Sequence, residues 1–305
     1  MNYIRLLIIP IFVLFFAKAN AQVTEQNYRI YSIKLAKEVS ISDIISDMKT
    51  NDVLFYGEEH NDSVTHYLEH KIFENLHTTY GGNVTLSMEM FDRDVQPIMN
   101  EYLTSEIREK NFKKDARVWS NYKDYRAMVE ICKSNKLDVI CANAAGRYSN
   151  LAGRKGQTAL MALPLESKKS FAPLPYDTAS GKYYEKLIGL FDDTSKRKKQ
   201  STNSGNENFS LVMAQSLWDA TMAYSIADYF KTHSTKKIFQ VNGRFHSDEY
   251  FAVVTQLKKY NPDIKCLVIS SGSDKKFPDI DWKKHEHLGD YIIITDPKVP
   301  KTYKD

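Results

Sequence analysis

Cysteine is scarce in this 305-residue chain: Cys132, Cys141 and Cys266 are the whole supply. No Cys-x-x-Cys-His occurs, which excludes covalent c-type haem attachment. Cys141 and Cys266 fall in apolar strand-like runs and Cys132 in a helical pattern. Buried free thiols are therefore expected, with a Cys132–Cys141 bridge as the alternative that an oxidising compartment permits. Charge of one sign is also lacking. Forty-two Lys and Arg against 38 Asp and Glu leave a formal +4, which gives no electrostatic reason to expect a nucleic-acid partner. Internal repeats and long low-complexity tracts are absent too. Beyond the amino terminus no apolar run approaches the roughly 20 residues that cross a membrane.

The amino terminus itself has Arg5, an apolar run from Leu6 to Ala17 interrupted by Pro10, and then Ala19-Asn20-Ala21. One early positive charge, a short apolar core and small residues two apart describe a secretory signal peptide. It is expected to span 1–21, with cleavage after Ala21. Its removal takes Arg5 and Lys18, so the formal charge falls from +4 to +2. No lipoprotein cysteine lies near that point, so the mature protein is expected to be exported, either periplasmic or secreted.

Apolar strand-like runs occur at Val53–Tyr56, Val84–Met88, Leu137–Cys141, Lys237–Val241, Lys265–Ser270 and Tyr291–Thr295. Helical periodicity falls between most of them, at Ser63–Thr79, Tyr122–Ser134 and Asp248–Lys259. Alternation of this kind predicts an α/β fold, a mostly parallel sheet flanked by helices. From 149 to 208 the strand signal vanishes. Leu151–Leu163 and Lys182–Phe191 are helical in pattern, and the basic, polar stretch Lys196–Asn206 reads as a loop. An amphipathic helix over Phe209–Phe230 comes next. The predicted organisation is an α/β domain of 22–148 and 209–305, with a smaller helical lobe inserted at 149–208.

Open α/β sheets bind ligands beyond the carboxyl ends of their strands. Four predicted strands end in polar groups: Glu58 with His60, Glu89, Asn143, and His246 with Arg244. Glu58, His60, Glu89 and His246 are two carboxylates and two imidazoles, a set that suits a divalent metal such as zinc or manganese or acid–base chemistry. Glu89 has a structural alternative, an ion pair with Arg93. His66 comes soon after, on the next helix. Asp219, within the long helix, needs a partner, either a site histidine or an arginine. Tyrosine phenolates ligate haem iron, and Tyr148, Tyr176, Tyr183 and Tyr184 lie near the expected cleft mouth.

Gly57-Glu58-Glu59-His60 and Met88-Glu89-Met90-Phe91-Asp92-Arg93 resemble the ChaN-like haem-binding family of the Tiki and erythromycin-esterase-like superfamily. The same order continues through Trp119–Tyr122, Ala142-Asn143-Ala144, Arg147-Tyr148, Ala214–Ala223 and Gly243–His246. The resemblance implies an exported haem-binding protein of haem or iron acquisition. It implies a possible homodimer on haem binding and an outer-membrane uptake partner, with haem near Tyr148, Arg147, His66 and Asn143. The same superfamily contains metal-dependent hydrolases, peptidase- or esterase-like, whose Glu/His site matches Glu58, His60, Glu89 and His246 by motif position. Arg244 is open to two readings, a propionate partner or a structural contact.

Overall fold

The computed structural model describes residues 23–194 and 204–303. The expected signal peptide, its cleavage after Ala21 and the basic residues at 196–199 lie outside the described residues. Eight strands make one sheet: β1 (Tyr28–Ser32), β2 (Lys37–Glu38), β3 (Val53–Glu58), β4 (Val84–Asp92), β5 (Val139–Asn143), β6 (Lys237–Gly243), β7 (Cys266–Ser273) and β8 (Tyr291–Thr295). Their order across the sheet is β2-β1-β8-β7-β3-β6-β4-β5. From β8 to β5 every pairing is parallel. β1 runs antiparallel to both β8 and β2.

All six predicted strands are present. The two unpredicted ones form the antiparallel edge. Only Ile30 and Ser32 of β1 are buried, and β2 is two exposed charged residues. Polarity of this kind blunts an edge against further pairing, and it also hides the strands from a search for apolar runs. Central β3, by contrast, is buried at every position, as a parallel strand covered on both faces must be.

The helices are α1 (Ile41–Asp47), α2 (Ser63–Tyr80), α3 (Gln96–Leu103), α4 (Glu109–Asp115), α5 (Tyr122–Asn135), α6 (Gly146–Met161), α7 (Leu165–Lys168), α8 (Gly181–Thr194), α9 (Ser204–Phe230) and α10 (Ala252–Tyr260). α2 starts where Asp62 accepts hydrogen bonds from the Val64 and Thr65 N–H groups at 2.9 and 3.3 Å, a side-chain cap. It stops at Gly81, whose φ of +57° suits glycine. α10 begins at Ala252 rather than Asp248, because Glu249 takes φ +62° and leaves a separate 3-10 turn over Asp248–Tyr250. α9 begins five residues before the expected Phe209.

The strand period of two divides the core. Leu54, Tyr56, Leu86, Met88, Phe239 and Val241 face one way and pack with Val64, Leu68 and Ile72 of α2 and Val129 of α5. Val53, Phe55, Ile238 and Val268 face the other way, against Met222 and Ile226 of α9 and Val253 and Leu257 of α10. β3 therefore hands the chain to a helix on one face, while its neighbour β6 hands it to a helix on the opposite face. The two adjacent strand ends diverge, and this is a topological switch point, where a crevice opens.

Between β5 and β6 the regular elements among the described residues are the helices α6 to α9. Tyr148, Ala152, Leu160, Phe171 and Tyr176 pack against Leu217 and Ala220 of α9. Gly153 permits this approach: a Cβ there would lie 2.7 Å from Ser210 Oγ. All three cysteines are free thiols, with Cys132 and Cys141 buried, so the bridge alternative is discarded. Among the described residues no helix is long and apolar enough to cross a membrane.

Candidate functional site

The crevice between β3 and β6 is built from two carboxylate–histidine units. In the first, Glu58 closes β3 and is 1% exposed. Its Oε1 accepts from His60 Nδ1 and from the Tyr125 hydroxyl, each at 2.6 Å. Its Oε2 lies 3.1 Å from His66 Nδ1. His66 Nδ1 is also 3.3 Å from Glu69 Oε2, while its Nε2 lies 3.1 Å from the His60 carbonyl oxygen. Burial alone would raise the Glu58 carboxyl, but the hydrogen bonds to His60 and His66 hold it well below the usual carboxylate range. Burial works against a charged His60, yet the bond to Glu58 and the charge of Glu89 leave its pKa raised.

The second unit joins three elements. Glu89 of β4 accepts from the Gly243 N–H at 2.7 Å and lies 3.5 Å from His246 Nε2. His246 Nδ1 donates to Asp219 Oδ1 of α9 at 2.6 Å, and Asp219 Oδ2 accepts from Tyr183 OH of α8 at 2.7 Å. Burial pulls His246 down, but the charges of Glu89 and Asp219 push it up to about 10. Burial would raise Glu89, but His246 outweighs it and the carboxyl is lowered. Asp219 thus takes a site histidine rather than an arginine. Arg93 pairs with Asp228 at 2.7 Å instead of Glu89, so the structural alternative for Glu89 is discarded.

Two glycines set the spacing. A Cβ on Gly243 would lie 2.7 Å from His60 Nε2, and one on Gly57 would lie 2.8 Å from the Arg244 Cα. The units therefore meet across bare backbone. They line a cleft of about 380 Å³ with Glu59, Gly243, Arg244, and Leu187, Gln215, Trp218 and Phe245 from the helical side. His60 and His246 each have Nδ1 on a carboxylate, which fixes the ring and turns Nε2 inward. The His60 side chain is 35% exposed and packs edge-on against Trp119, so it is the imidazole open to a ligand. Arg244 resolves to a structural contact, with Nε 2.9 Å from Asp248 and Nη1 3.8 Å from Glu59.

Glu58, His60, Glu89 and His246 line one cleft, but they do not form a single ligand set. Among the described residues the one trio of ligand atoms within 4.8 Å of one another is Glu58, His66 and Glu69. The predicted quartet is instead divided into hydrogen-bonded units, because each carboxylate is already held by its own histidine and by Tyr125 or Gly243. Asn143, Arg147 and Tyr148 lie apart from the cleft lining. Asn143 Oδ1 accepts from the next backbone N–H, at Ala144. Arg147 pairs with Asp94 at 2.6 Å and lies over the Tyr148 ring at 4.4 Å.

Sequence reasoning missed Glu69 and Tyr125. Glu69 sits on the α2 stripe of Thr65 and Phe73, both fully buried. A charge on an apolar stripe is the signal that could have found it. Tyr125 offers no such signal, since its sequence environment matches that of an ordinary core aromatic.

Residues 44–257 match the family described as haem-binding uptake, Tiki superfamily, ChaN. Among solved structures, that of cofacial haem binding to ChaN of Campylobacter jejuni is similar at 16% identity and a TM-score of 0.67, covering 89% of this chain and 98% of that one. A mutant of the erythromycin esterase EreC, in its open conformation, is similar at 9% identity and a TM-score of 0.44, covering 88% and 83%. A Bacillus cereus protein is similar at 13% identity and a TM-score of 0.41, covering 77% and 70%. No curated protein sequence matches.

Proposed function

The chain belongs to the haem-binding uptake family of the Tiki superfamily, ChaN, and from that premise we propose that it is an exported haem-binding protein of haem or iron acquisition. The observation that carries the haem reading to particular residues is the chemistry of Tyr148. Burial would raise its phenol, but hydrogen bonds to Ser167 and Arg147 and the Arg147 charge lower it below its ordinary value. Tyr176 and Tyr183, by contrast, are raised by burial. A phenol inclined to ionise suits ferric iron, and Arg147, 51% exposed at its side chain, suits a propionate. Tyr148 and Arg147 would hold the group, and haem would supply iron redox and ligand chemistry there. The cleft of about 380 Å³ is at the small end of ligand pockets, so a wide planar group would sit better beside the exposed Arg147, where Tyr148 is 8% exposed.

Titrating mature protein with hemin tests this. The expected result is a Soret shift at micromolar protein, weakened in Tyr148→Phe. No shift in the wild type would remove the haem reading. Light scattering with and without hemin tests dimerisation, and fractionation with amino-terminal sequencing tests export, the expected first residue being Gln22.

A second reading, hydrolysis in the cleft, is favoured by the half-open His60 with its Nδ1 on Glu58. There His60 would act as the general base, with Glu89 and His246 placing charge opposite. A hydrolase screen in which wild type and His60→Ala are indistinguishable would discard it.

A further inference from the structure

Behind the cleft, Glu58, His66 and Glu69 form a core of charge that no described lysine or arginine side chain touches. Each is buried, at 1%, 5% and 0% exposure. His66 Nε2 faces the His60 carbonyl oxygen at 3.1 Å. A carbonyl only accepts, so Nε2 carries the hydrogen. That leaves Nδ1 directed at two carboxylate oxygens, 3.1 Å from Glu58 and 3.3 Å from Glu69. An imidazole lone pair facing two carboxylates is repulsive unless something positive lies between them.

We propose that Glu58 Oε2, His66 Nδ1 and a Glu69 carboxylate oxygen bind a divalent transition-metal cation of the zinc class. Two metal–ligand bonds of about 2.1 Å that meet at a right or tetrahedral angle hold their donor atoms about 3.0–3.4 Å apart. The observed 3.1 and 3.3 Å fall within that window. Two carboxylates and one dication sum to zero charge, which is the cheapest way to bury the pair. The buried polar atoms agree: Glu69 Oε1 and Asp124 Oδ2 have no hydrogen-bond partner, and Glu58 Oε2 has only the 3.1 Å approach of His66 Nδ1. Asp124, with a side chain only 9% exposed, aims that oxygen at His66 Nε2 from 3.9 Å, and carboxylates beyond the ligands commonly orient ligating histidines in this way. The other oxygen of Glu58 is held by Tyr125 and His60, so the ligand is already positioned. Glu58 also lines the cleft, which provides the entry path past His60.

Protons are the competing occupant. Without a metal, burial opposes a charged His66, but Glu69 and Glu58 push it up to about 11, and burial together with the Glu58 charge raises Glu69. The site shares Glu58 with the Glu58–His60–Glu89–His246 set but uses none of its other three members.

The test uses haem-free mature protein incubated with zinc and then dialysed. One equivalent of zinc should remain by elemental analysis. Glu69→Gln should weaken retention by on the order of a hundredfold, whereas His246→Gln should leave it unchanged. In crystals of zinc-loaded wild type, the anomalous peak should lie among Glu58, His66 and Glu69, a result that stands even if Glu69→Gln does not fold. Wild type that retains no zinc, a peak placed on His60 and His246, or a peak elsewhere on the surface would each overturn the proposal. Because the protein carries no haem in this experiment, failure here leaves the Soret titration untouched.

Discussion

Two regions share the carboxyl edge of the sheet and are built on different principles. The cleft at β3, β4 and β6 is lined by buried, hydrogen-bonded carboxylates: Glu58 and Asp219 each accept from two donors at 2.6–2.7 Å, and Glu89 accepts from Gly243 at 2.7 Å with His246 3.5 Å away. The corner at β5 and α6 is aromatic, with Tyr148 8% exposed beneath the 51% exposed Arg147 side chain. There Tyr148 packs edge-on against Phe171, and Arg147 reaches both the ring and Asp94. A buried charge network is rigid and costly to disturb. An exposed ion pair such as Arg147–Asp94 is worth little and tolerates change. On the proposed reading, haem capture and acid–base chemistry use separable positions.

That separation can be broken experimentally, beginning where the effect is largest. Asp219→Ala removes one partner of a buried pair and leaves His246 and Tyr183 unsatisfied, so a loss of about 3–5 kcal/mol is expected in urea unfolding. A loss below about 1 kcal/mol would mean the cleft network is not what holds α9 to the sheet. The pH dependence of stability comes from the same unit. His246 is raised in the folded state, so its contribution is fully present below its unfolded value of about 6.5 and fades as pH rises toward about 10. Glu89 is lowered, so its contribution is present above about 4.3 and is lost as pH falls through its folded value. Unfolding measured across pH should therefore show an alkaline decline of at most about 1.4 kcal/mol per pH unit from His246, absent in His246→Asn.

Gly243→Ala places a Cβ 2.7 Å from His60 Nε2 and should cost about 1–3 kcal/mol by overpacking, with hemin affinity unchanged if the two regions are separable. Tyr148→Phe should do the reverse: at least tenfold weaker hemin binding, about 1.4 kcal/mol, with little change in unfolding. Equal effects of both variants on hemin titration would merge the two regions into one site. The smallest effect is expected from Arg147→Ala. Its exposed pair with Asp94 is worth roughly 0.2–1 kcal/mol, yet the Tyr148 phenol should move back up, which NMR titration of the tyrosine ring carbons would read.

Legibility in the sequence tracked burial. β3 and β8 are uniformly buried and stand out as apolar runs, and Glu58, His60 and Glu89 are found at the polar residues that end such runs. His246 is found in the same way, just past Gly243. The edge strands β1 and β2 lack that signature. Glu69 escapes notice because its partners, Glu58 and His66, come together only when α2 folds back against β3. The closing role of Trp218, Gln215 and Leu187 is equally invisible, since it depends on where α8 and α9 lie relative to the sheet.

The sequence by itself determined the parallel sheet, because uninterrupted apolar runs alternating with helical periodicity have few other ways to bury their surface. It also determined which chemically capable residues stand at the strand ends, and the resemblance that the family match then established. Only the tertiary structure decided how those residues are grouped. Whether an acid serves His60, His66 or His246 is set by contacts between segments far apart in the chain, as with Asp219 and His246 or Glu58 and Tyr125. Hydrogen bonds of 2.6 Å, as in both of those pairs, require side-chain positions that no local pattern specifies.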